Sequence, residues 1–575
     1  MRRPMLVVAL LSVLLLALPL WIALAKAQLP VPPSSGQRTP AYDIGNPNFT
    51  DIYASPNGSD EQGDGSLGNP FRTIRRAWRA VEHGLDDYRL QAYRIRLLPG
   101  DYVGAYLDRE TDTQFSRGTP ETPIVIESAD LANRARVIYD PMASRGNLTL
   151  FKIEYAYLLN FDIRMDQTYN GVTWNDNSGD GFQCDQCDHL LLRGMLIRGH
   201  YNDDLSQELG QTETVKLNQA QHVYIEDSEI GGAGDNAIDA VAVRHGWWVR
   251  NRIHSARDWC AYAKGGSADI LVAANELFNC GTGGFMAGQG TTMVFLRAPF
   301  LQYEAYHIKV VNNLIHDVRG AGLGVNGGVN ILMAYNTLYR VGNDGNRNQM
   351  LELAPGGRDC NGPPPADCSA LLAQGAWGTA LPDVNGELVP NRNVFMLNNL
   401  VYNPNGFREP MRVFRLDGPR AGDRTTWPNG PLPARSDEGV VIAGNLIWTG
   451  TSGEVDLGLG DGSGCQPDNP TCNPTQLNAD NRINQFEPAL VNPNGGDYRP
   501  LSGGNLSSVT PVPLPTFDTS VLLPDQVPLV QLVNLLTTTI LDDYAGTSRA
   551  TGNVVGALTM PPILDQRVYL PLVQR

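Results

Sequence analysis

The chain has 575 residues, with 44 Lys and Arg against 60 Asp and Glu, a net charge of −16 and a pI near 5.0. This acidic balance excludes a general nucleic-acid-binding surface, and an anionic ligand would need a local cationic or metal-bearing site to offset the repulsion. Charged residues make up only 18% of the chain, whereas Gly (60) and Pro (40) are abundant. That composition favours a turn-rich, all-β, extracellular protein over a helical one.

Residues 1–28 have the pattern of an export signal. Arg2 and Arg3 precede an apolar run from Met5 to Ala25, and the small residues around Ala27 provide a cleavage site. The run is also long enough for an uncleaved membrane anchor, which is the alternative. Both readings predict a secreted or cell-surface protein. Residues 29–48, rich in Pro and Ser at their start, are predicted to be a linker.

The eight cysteines fall into four short-range couples. In an oxidising compartment such couples would close as disulfides that staple loops. Two buried, stacked thiols are the alternative for the second couple, and the lack of another CxxC disfavours a metal site at the first. The couples are Cys184/Cys187, Cys260/Cys280, Cys360/Cys368 and Cys465/Cys472.

The first folded segment joins a turn-rich strand to an amphipathic helix. Its sequence is YASPNGSDEQGDGSLGNPFRTIRRAWRAVEHG, with Ile74, Ala77, Trp78 and Val81 on one helix face, and YRIRLLPGDYVG follows as two strands around a Pro-Gly turn. These two stretches resemble the opening of secreted right-handed parallel β-helix proteins. The resemblance implies a helix that covers the first coil.

From about residue 123 onward, short strands end at Gly, Asn or Asp with a recurring spacing. Neighbouring members of one series recur at a nearly constant interval where no insertion intervenes, which is typical of a solenoid. In register, these side chains would form an internal ladder. A β-sandwich or propeller with coincidental spacing is the alternative. The series is Ser228, Asn251, Asn275, Asn313, Asn336, Asn399 and Asn445.

We therefore predict an all-β fold: a single right-handed parallel β-helix domain over residues 49–557, capped by an N-terminal helix. Three segments interrupt the repeat and are predicted to be insertions, near 286–306, 355–390 and 404–436. Residues 558–575 are predicted to be a C-terminal tail. The protein is expected to be a monomer.

Charged residues recur at coil spacing in the central stretch. Asp239 follows Lys216, and Lys264 follows Asp239, each by close to one coil length. Equivalent positions on neighbouring coils lie one strand spacing apart, roughly 4.8 Å, so these three side chains are predicted to share one face. Asp235 and Asn236 occupy the turn before Asp239. Asp258 stands in the same turn one coil later, and Asp180 and Asp185 belong to earlier coils.

Carboxylates grouped with an amide are the oxygen ligands that Ca²⁺ requires. The pattern D-N-x-x-D, one coil before an exposed lysine, resembles the calcium-dependent polysaccharide lyases of family 9. That resemblance covers a short central part of the chain and implies calcium ligands at Asp235, Asn236 and Asp239. Asp258 would be a further ligand and Lys264 the Brønsted base. Asn236 departs from the family, which more often has a second Asp there.

The same resemblance implies an acidic polysaccharide as the substrate and β-elimination as the reaction. Lys216 or Arg244 would neutralise a flanking carboxylate, and Glu213 with Lys216 and Arg244 resembles a second group of β-helix lyases that act on alginate or chondroitin. The remaining predicted substrate contacts are Asn218, Trp247, Trp248 and Tyr303.

Two other functions stay open. Asp235 and Asp258 could be the paired acids of a glycoside hydrolase, which requires carboxylates on both sides of a groove. Alternatively, the chain could be a non-catalytic cell-surface protein that binds carbohydrate or mediates adhesion. His222, His254 and His316 match no triad or metal spacing and are interpreted as turn or edge residues.

Overall fold

A computed structural model describes most of the chain between residues 42 and 560. The described residues are 42–108, 114–139, 146–165, 179–200, 212–343, 349–359, 365–377, 387–407, 412–417, 437–450, 452, 455–460, 462–516, 542–549 and 553–560. The predicted export signal or anchor lies outside them, as does most of the C-terminal tail. Within them, no helix is both long enough and apolar enough to cross a membrane.

Each coil of the chain contributes one strand to each of three long parallel sheets, in the order second, first, third. The prediction of a right-handed parallel β-helix is confirmed. The first sheet contains 13 strands within the described residues: Phe49–Ala54, Ala92–Leu97, Ile124–Ser128, Glu154–Leu159, Asp188–Arg193, Gln221–Glu226, Arg244–Val249, Ser267–Ala273, Ala305–Tyr306, Lys309–Val311, Gly328–Ala334, Arg392–Leu397 and Val441–Ala443.

The second sheet carries the predicted charged residues. Its ten described strands are Ala105–Leu107, Leu148–Phe151, Phe182–Asp185, Val215–Asn218, Ile238–Val241, Trp259–Lys264, Gly283–Gly288, Ala321–Asn326, Gln349–Ala354 and Arg412–Leu416. The last of these corrects one boundary, because it lies inside the predicted insertion 404–436 and yet pairs with Gln349–Ala354 as a regular strand.

The third sheet closes each coil. Its described strands are Asp101–Val103, Arg136–Ile138, Asp162–Arg164, Leu196–Arg198, Glu229–Ala233, Arg252–Ala256, Glu276–Cys280, Leu314–Val318, Thr337–Val341, Leu400–Tyr402, Leu446–Trp448 and Arg482–Ile483. Shorter pairings add Gly290–Thr292, Gly356–Asp359 and Glu387–Val389, and a hairpin of Leu490–Asn492 with Asp497–Pro500.

Few helices accompany the sheets. The predicted cap is the helix Ile74–Trp78, where the Thr73 hydroxyl accepts the Arg76 N–H and Ile74, Ala77 and Trp78 are buried, as predicted. The other described helices are Pro365–Ala373 and Pro474–Asp480, and the 3₁₀ turns are Leu85–Asp87, Met293–Phe295, Pro493–Gly495 and Asn505–Ser508.

The predicted asparagine ladder lies in the interior of the β-helix. In each step, a side-chain oxygen accepts the backbone N–H of the preceding member: Ser228 N–H to Asn251 Oδ1 at 3.0 Å, and Asn251 N–H to Asn275 Oδ1 at 2.9 Å. The series continues through Asn313, Asn336, Asn399 and Asn445 and extends one step further, to Asn481. All of these side chains are buried, so the ladder satisfies backbone groups that water does not reach.

Three of the four predicted disulfides are present: Cys184–Cys187, Cys260–Cys280 and Cys465–Cys472. The side chains of Cys360 and Cys368 lie outside the described residues. The described part of the predicted linker packs on the first sheet, because the Tyr42 ring lies 4.3 Å from the Tyr224 ring and its backbone N–H donates to Glu226 Oε1 at 2.8 Å.

Candidate functional site

The outer face of the second sheet brings most of the predicted charged residues together. Lys216 pairs in register with Asp239, as the spacing of these two residues predicts. Lys264 does not continue that row: it pairs with Val241, and Tyr262 stands beside Asp239. Lys264 is therefore two residues further along its strand, on the same outward face. The register agrees with the prediction that the three side chains share one face, but Lys264 stands two residues away from the row of Lys216 and Asp239.

Lys216 and Asp239 form an ion pair across neighbouring coils. The Lys216 ammonium contacts Asp239 Oδ2 and lies 3.6 Å from Glu213 Oε1. Asp239 is almost completely buried, and its Oδ1 has no hydrogen-bond partner among the described residues. A buried carboxylate without a cation is strongly unfavourable, and Lys216 is the cation that compensates Asp239.

A second ladder, which we term the acid ladder, precedes these strands and consists of Asp180, Glu213 and Asn236. Asp180 Oδ1 accepts the Glu213 N–H at 2.8 Å, Glu213 Oε2 accepts the Asn236 N–H at 2.7 Å, and Asn236 Oδ1 accepts the Trp259 N–H at 3.0 Å. Burial raises the pKa of Asp180 to about 6. Burial also raises the pKa of Glu213 to about 8, partly opposed by Lys216.

Lys264 is the half-buried cation of the next row. Its Nζ donates to Gln289 Oε1 at 2.8 Å and lies 4.5 Å from the centre of the Tyr262 ring. Burial, and then the nearby charge of Lys216, lower the pKa of Lys264 to about 8. A compact ammonium shifts its pKa readily in such surroundings, and an amine that titrates near neutrality can accept a proton.

The turn behind Lys264 is fixed by a buried ion pair. Glu304 accepts the Gly265 N–H at 2.9 Å and receives the Arg358 guanidinium at 2.6 and 3.0 Å. Arg358 in turn lies over the Trp377 ring. Glu304 belongs to the insertion 286–306, and Arg358 and Trp377 to the insertion 355–390, so the two insertions together position the lysine.

Asp235 and Asp258 stand in equivalent turns of neighbouring coils at the edge of this face, and both are partly accessible. Burial, and then the charge of Asp258, raise the pKa of Asp235 above its ordinary value. The Asp258 N–H donates to the Asp235 carbonyl at 2.9 Å, so the turns themselves are in register. A pair of carboxylates with one raised pKa can supply one acid and one base.

The four residues predicted to bind calcium do not fit that role together. The Lys216 ammonium occupies the place between Asp239 and Glu213 that a cation would need, and the Asn236 amide oxygen already accepts the Trp259 N–H. Among the described residues, the side-chain oxygens of Asp235, Asp239 and Asp258 do not converge within 4.8 Å of one another. We therefore derive no step through calcium.

Four predicted contacts lie elsewhere. Arg244 is on the first sheet, where its guanidinium donates to the carbonyls of Arg297 at 2.9 Å and Pro299 at 2.7 Å. Trp248 is fully buried in the interior, and Tyr303, a residue of the insertion 286–306, is buried in a cluster with Trp377. None of these three can reach a sugar from the second sheet, so these predictions are wrong.

Trp247 is also on the first sheet, where its Nε1 donates to Glu226 Oε1 at 2.7 Å and its ring packs against Tyr224. Its predicted stacking on a sugar in the site is likewise wrong. Asn218 does lie on the outer face of the second sheet, and its Nδ2 donates to Asp185 Oδ1 at 2.8 Å. The next residue, Gln219, lines a pocket formed with Phe115, Gln186, Leu296, Arg297, Ala298, Phe300, Leu371 and Gln374.

Sequence reasoning missed Tyr262, Gln289 and Glu304, which hold or surround Lys264. One signal was available in the composition. The whole chain contains only five lysines, and two of them, Lys216 and Lys264, lie on this one face. A lysine, unlike an arginine, shifts its pKa readily when it is buried, so two lysines on one face draw attention to that face.

Comparison with known proteins supports the fold. A family model described as "Right handed beta helix region" matches residues 180–348. No curated protein matches the chain. Similar solved structures include pectate lyase Pel9A, with 14% identity, 52% of this chain and 70% of that chain covered, and a TM-score of 0.35. A rhamnogalacturonan lyase has 14% identity, 69% and 87% coverage and a TM-score of 0.41.

The A-module of the mannuronan C-5 epimerase AlgE6 from Azotobacter vinelandii is also similar, with 10% identity, 65% of this chain and 88% of that chain covered, and a TM-score of 0.37. Identities and TM-scores this low carry no information about substrate or reaction.

Proposed function

We propose that this protein cleaves a uronate-containing polysaccharide by β-elimination, with Lys264 as the base. The observation that carries the proposal is the state of Lys264: a half-buried amine on the outer face of a β-helix, with its pKa lowered to about 8 by burial and by Lys216. General bases work best when their pKa lies near the operating pH.

The carboxyl groups near Lys264 repel a uronate less than their number suggests. With a pKa raised to about 8, Glu213 carries a proton at neutral pH, and Asp239 is neutralised by the Lys216 ammonium. Positive charge from Lys216 and Arg257 remains close to Asp235. A carboxylate of the substrate would therefore meet neutral or compensated groups rather than a row of anions.

In this mechanism, the neutral Lys264 amine removes the proton from the carbon next to the uronate carboxylate. The electron pair of that C–H bond forms a carbon–carbon double bond, and the glycosidic C–O bond on the next carbon breaks. The leaving oxygen takes a proton from water. Gln289 and Tyr262 hold the lysine in place, and the Tyr262 hydroxyl keeps its own proton because burial raises the pKa of this tyrosine well above its ordinary value.

The test is the ultraviolet absorbance of unsaturated uronides, followed with a panel of uronate polymers. We expect an increase with the wild-type protein and a loss of about 10²–10⁴-fold in rate for Lys264→Ala, the range for removal of a general base. The rate should rise with pH up to about 8, as Lys264 loses its proton. Lys152→Ala is the matched control, because Lys152 is a lysine that follows the strand Leu148–Phe151 of the same sheet and lies over the rings of Phe115 and Phe151.

An unchanged rate for Lys264→Ala would remove the proposed base, and no absorbance change on any uronate polymer would reject elimination. Addition of a chelator is a second arm of the same assay. Because no step passes through calcium, the chelator should leave the rate within about twofold of the untreated protein, whereas a metal-dependent mechanism would lose its activity.

Hydrolysis is the second candidate, and the raised pKa of Asp235 beside Asp258 is the observation that favours it. Here Asp235 would donate a proton to the glycosidic oxygen and Asp258 would activate water or attack the sugar. Its signature is new reducing ends without ultraviolet absorbance. Asp235→Asn should then abolish the reaction and Lys264→Ala should not, which is the reverse of the result expected for elimination.

A further inference from the structure

Four of the eight histidines form one column on the outward face of the first sheet, away from the lysines described above. They are His189, His222, His245 and His307, each on a different coil. All four have a left-handed backbone, with φ between +49° and +64°. Asn330 and Asn393 occupy the same position on later coils and also have positive φ. Asparagine is the type of residue that a left-handed position usually favours.

Two of these histidines meet at one carboxylate. Asp188 Oδ1 lies 2.8 Å from His189 Nδ1 and 2.7 Å from His222 Nδ1, and all three atoms lie within 4.8 Å of one another. The two rings stack with centroids 4.2 Å apart, and the Tyr155 ring stacks on the other side of His189 at 4.1 Å. Each of these three side chains is partly exposed, although His189 Nδ1 itself faces inward.

Hydrogen bonding leaves this group incomplete. His189 Nδ1 is shielded from solvent, yet its contact with Asp188 lacks the alignment of a hydrogen bond. One carboxylate oxygen therefore faces two ring nitrogens and satisfies only one of them well. A cation placed among the three atoms would bind all of them, because neutral imidazole and ionised carboxylate both have lone pairs to donate.

The surrounding charges are mixed. Glu154 pairs with Asp188 on the preceding coil and adds negative charge, whereas the Arg297 guanidinium, which donates to the Gln219 carbonyl, is a cation whose charge reaches Asp188.

We propose that Asp188, His189 and His222 bind a divalent transition-metal ion of the Zn²⁺ type. Two imidazole nitrogens and one carboxylate oxygen are a ligand set that suits zinc and its neighbours and does not suit calcium, which takes oxygen ligands. Three protein ligands leave a coordination position for water or for a group on a partner. The site is separate from the lysine cluster, since the two lie on different sheets, and it does not rest on the proposed reaction.

The experiment is a titration of metal-free protein with Zn²⁺ by calorimetry, with Co²⁺ absorbance as an independent report on the ligands. We expect one ion per chain and weaker binding by about tenfold or more for His189→Asn and for His222→Asn. Asparagine is chosen because the same column accepts it at Asn330 and Asn393, so the backbone conformation is kept. Binding should weaken in acidic buffer, because protons compete with the metal ion for its ligands.

His316→Asn is the matched control, because His316 also lies between two acids, 3.2 Å from Glu276 and 2.8 Å from Asp317, but outside the column. It should bind Zn²⁺ like the wild type. The absence of stoichiometric binding to the wild-type protein would overturn the proposal, and so would equal binding by the two column variants. Circular dichroism of each variant checks that the β-helix is intact, so a loss of binding is not mistaken for unfolding.

Discussion

Two ladders in this molecule meet the same backbone requirement with different residues. In the interior, the asparagine ladder from Asn251 to Asn481 links coils through side-chain oxygens that accept backbone N–H groups. At the edge of the second sheet, the acid ladder does the same with Asp180, Glu213 and Asn236, at donor–acceptor distances between 2.7 and 3.0 Å. The acceptor geometry is alike in the two cases.

They differ in what else the side chain must do. An asparagine also donates: Asn313 Nδ2 bonds to Asn336 Oδ1 and to the Val272 carbonyl, so a neutral amide has partners for its oxygen and its nitrogen. A carboxyl group in the same position must either keep a charge out of water or take up a proton. The raised pKa values of Asp180 and Glu213 show that protonation is favoured. A ladder position thus becomes a chemical site when an acid replaces the amide and a lysine lies beside it.

The largest effect on stability should come from removing Lys216. Lys216→Met leaves Asp239 buried without its cation, and loss of one partner of a buried ion pair costs about 3–5 kcal/mol of the free energy of unfolding. Urea unfolding of the variant and of the double variant Lys216→Met/Asp239→Leu checks this. The double variant should recover most of the loss, because it buries no unpaired charge. Equal stability of Lys216→Met and wild type would mean that the acid ladder does not depend on this cation.

The next effect is in the interior. Asn313→Ala leaves the N–H and Nδ2 of Asn275, the Val272 carbonyl and Asn336 Oδ1 with fewer partners, and unsatisfied buried groups cost about 1–3 kcal/mol each. We expect the free energy of unfolding to fall by about 3 kcal/mol. The fall is measured from the urea midpoint and should not depend on pH. Asn393→Gly is the control, since its half-buried amide donates to Asn330 Oδ1 at 3.2 Å and lies outside the ladder, and glycine accepts its positive φ. Similar losses in both variants would contradict a special role for the ladder.

The asparagine ladder was predictable because its residues recur in the sequence at a nearly constant interval. The same interval could have corrected two predictions. Trp248 precedes Asn251 by the same step at which Ile225 precedes Ser228, so it occupies an interior position and pairs with Ile225. Tyr262, not Lys264, is the residue one coil after Asp239. Lys264 follows two residues later and therefore pairs with Val241.

The histidine column could not be found in this way. His189 and His222 are further apart in sequence than one regular coil, so they show no metal-binding spacing. The prediction that Arg244 lies in the site was wrong for a similar reason. The carbonyls of Arg297 and Pro299 that bind it belong to an insertion much later in the sequence, and only the folded chain brings them to the first sheet.

A third prediction separates the two ladders by pH. Because the pKa of Glu213 is raised from 4.5 to about 8, the folded state holds this proton more tightly than the unfolded state does. The resulting stability is fully present below pH 4.5 and is lost as the pH rises to about 8, with a size of a few kcal/mol. Glu213→Gln keeps an oxygen for the Asn236 N–H and should remove this dependence. Melting temperatures of the variant and the wild type that fall in parallel across that range would contradict the raised pKa.

The smallest effect is expected one step earlier, at Asp180. Its pKa is raised from 3.8 only to about 6, so its contribution is lost between those two pH values and is already absent above pH 6. Asp180→Asn still accepts the Glu213 N–H and should flatten the melting curve against pH below 6, while running parallel to the wild type between pH 6 and 8. There the remaining slope belongs to Glu213. If Asp180→Asn instead flattened the curve up to pH 8, the two acids would share one proton, and the site would titrate as a pair rather than as two steps of a ladder.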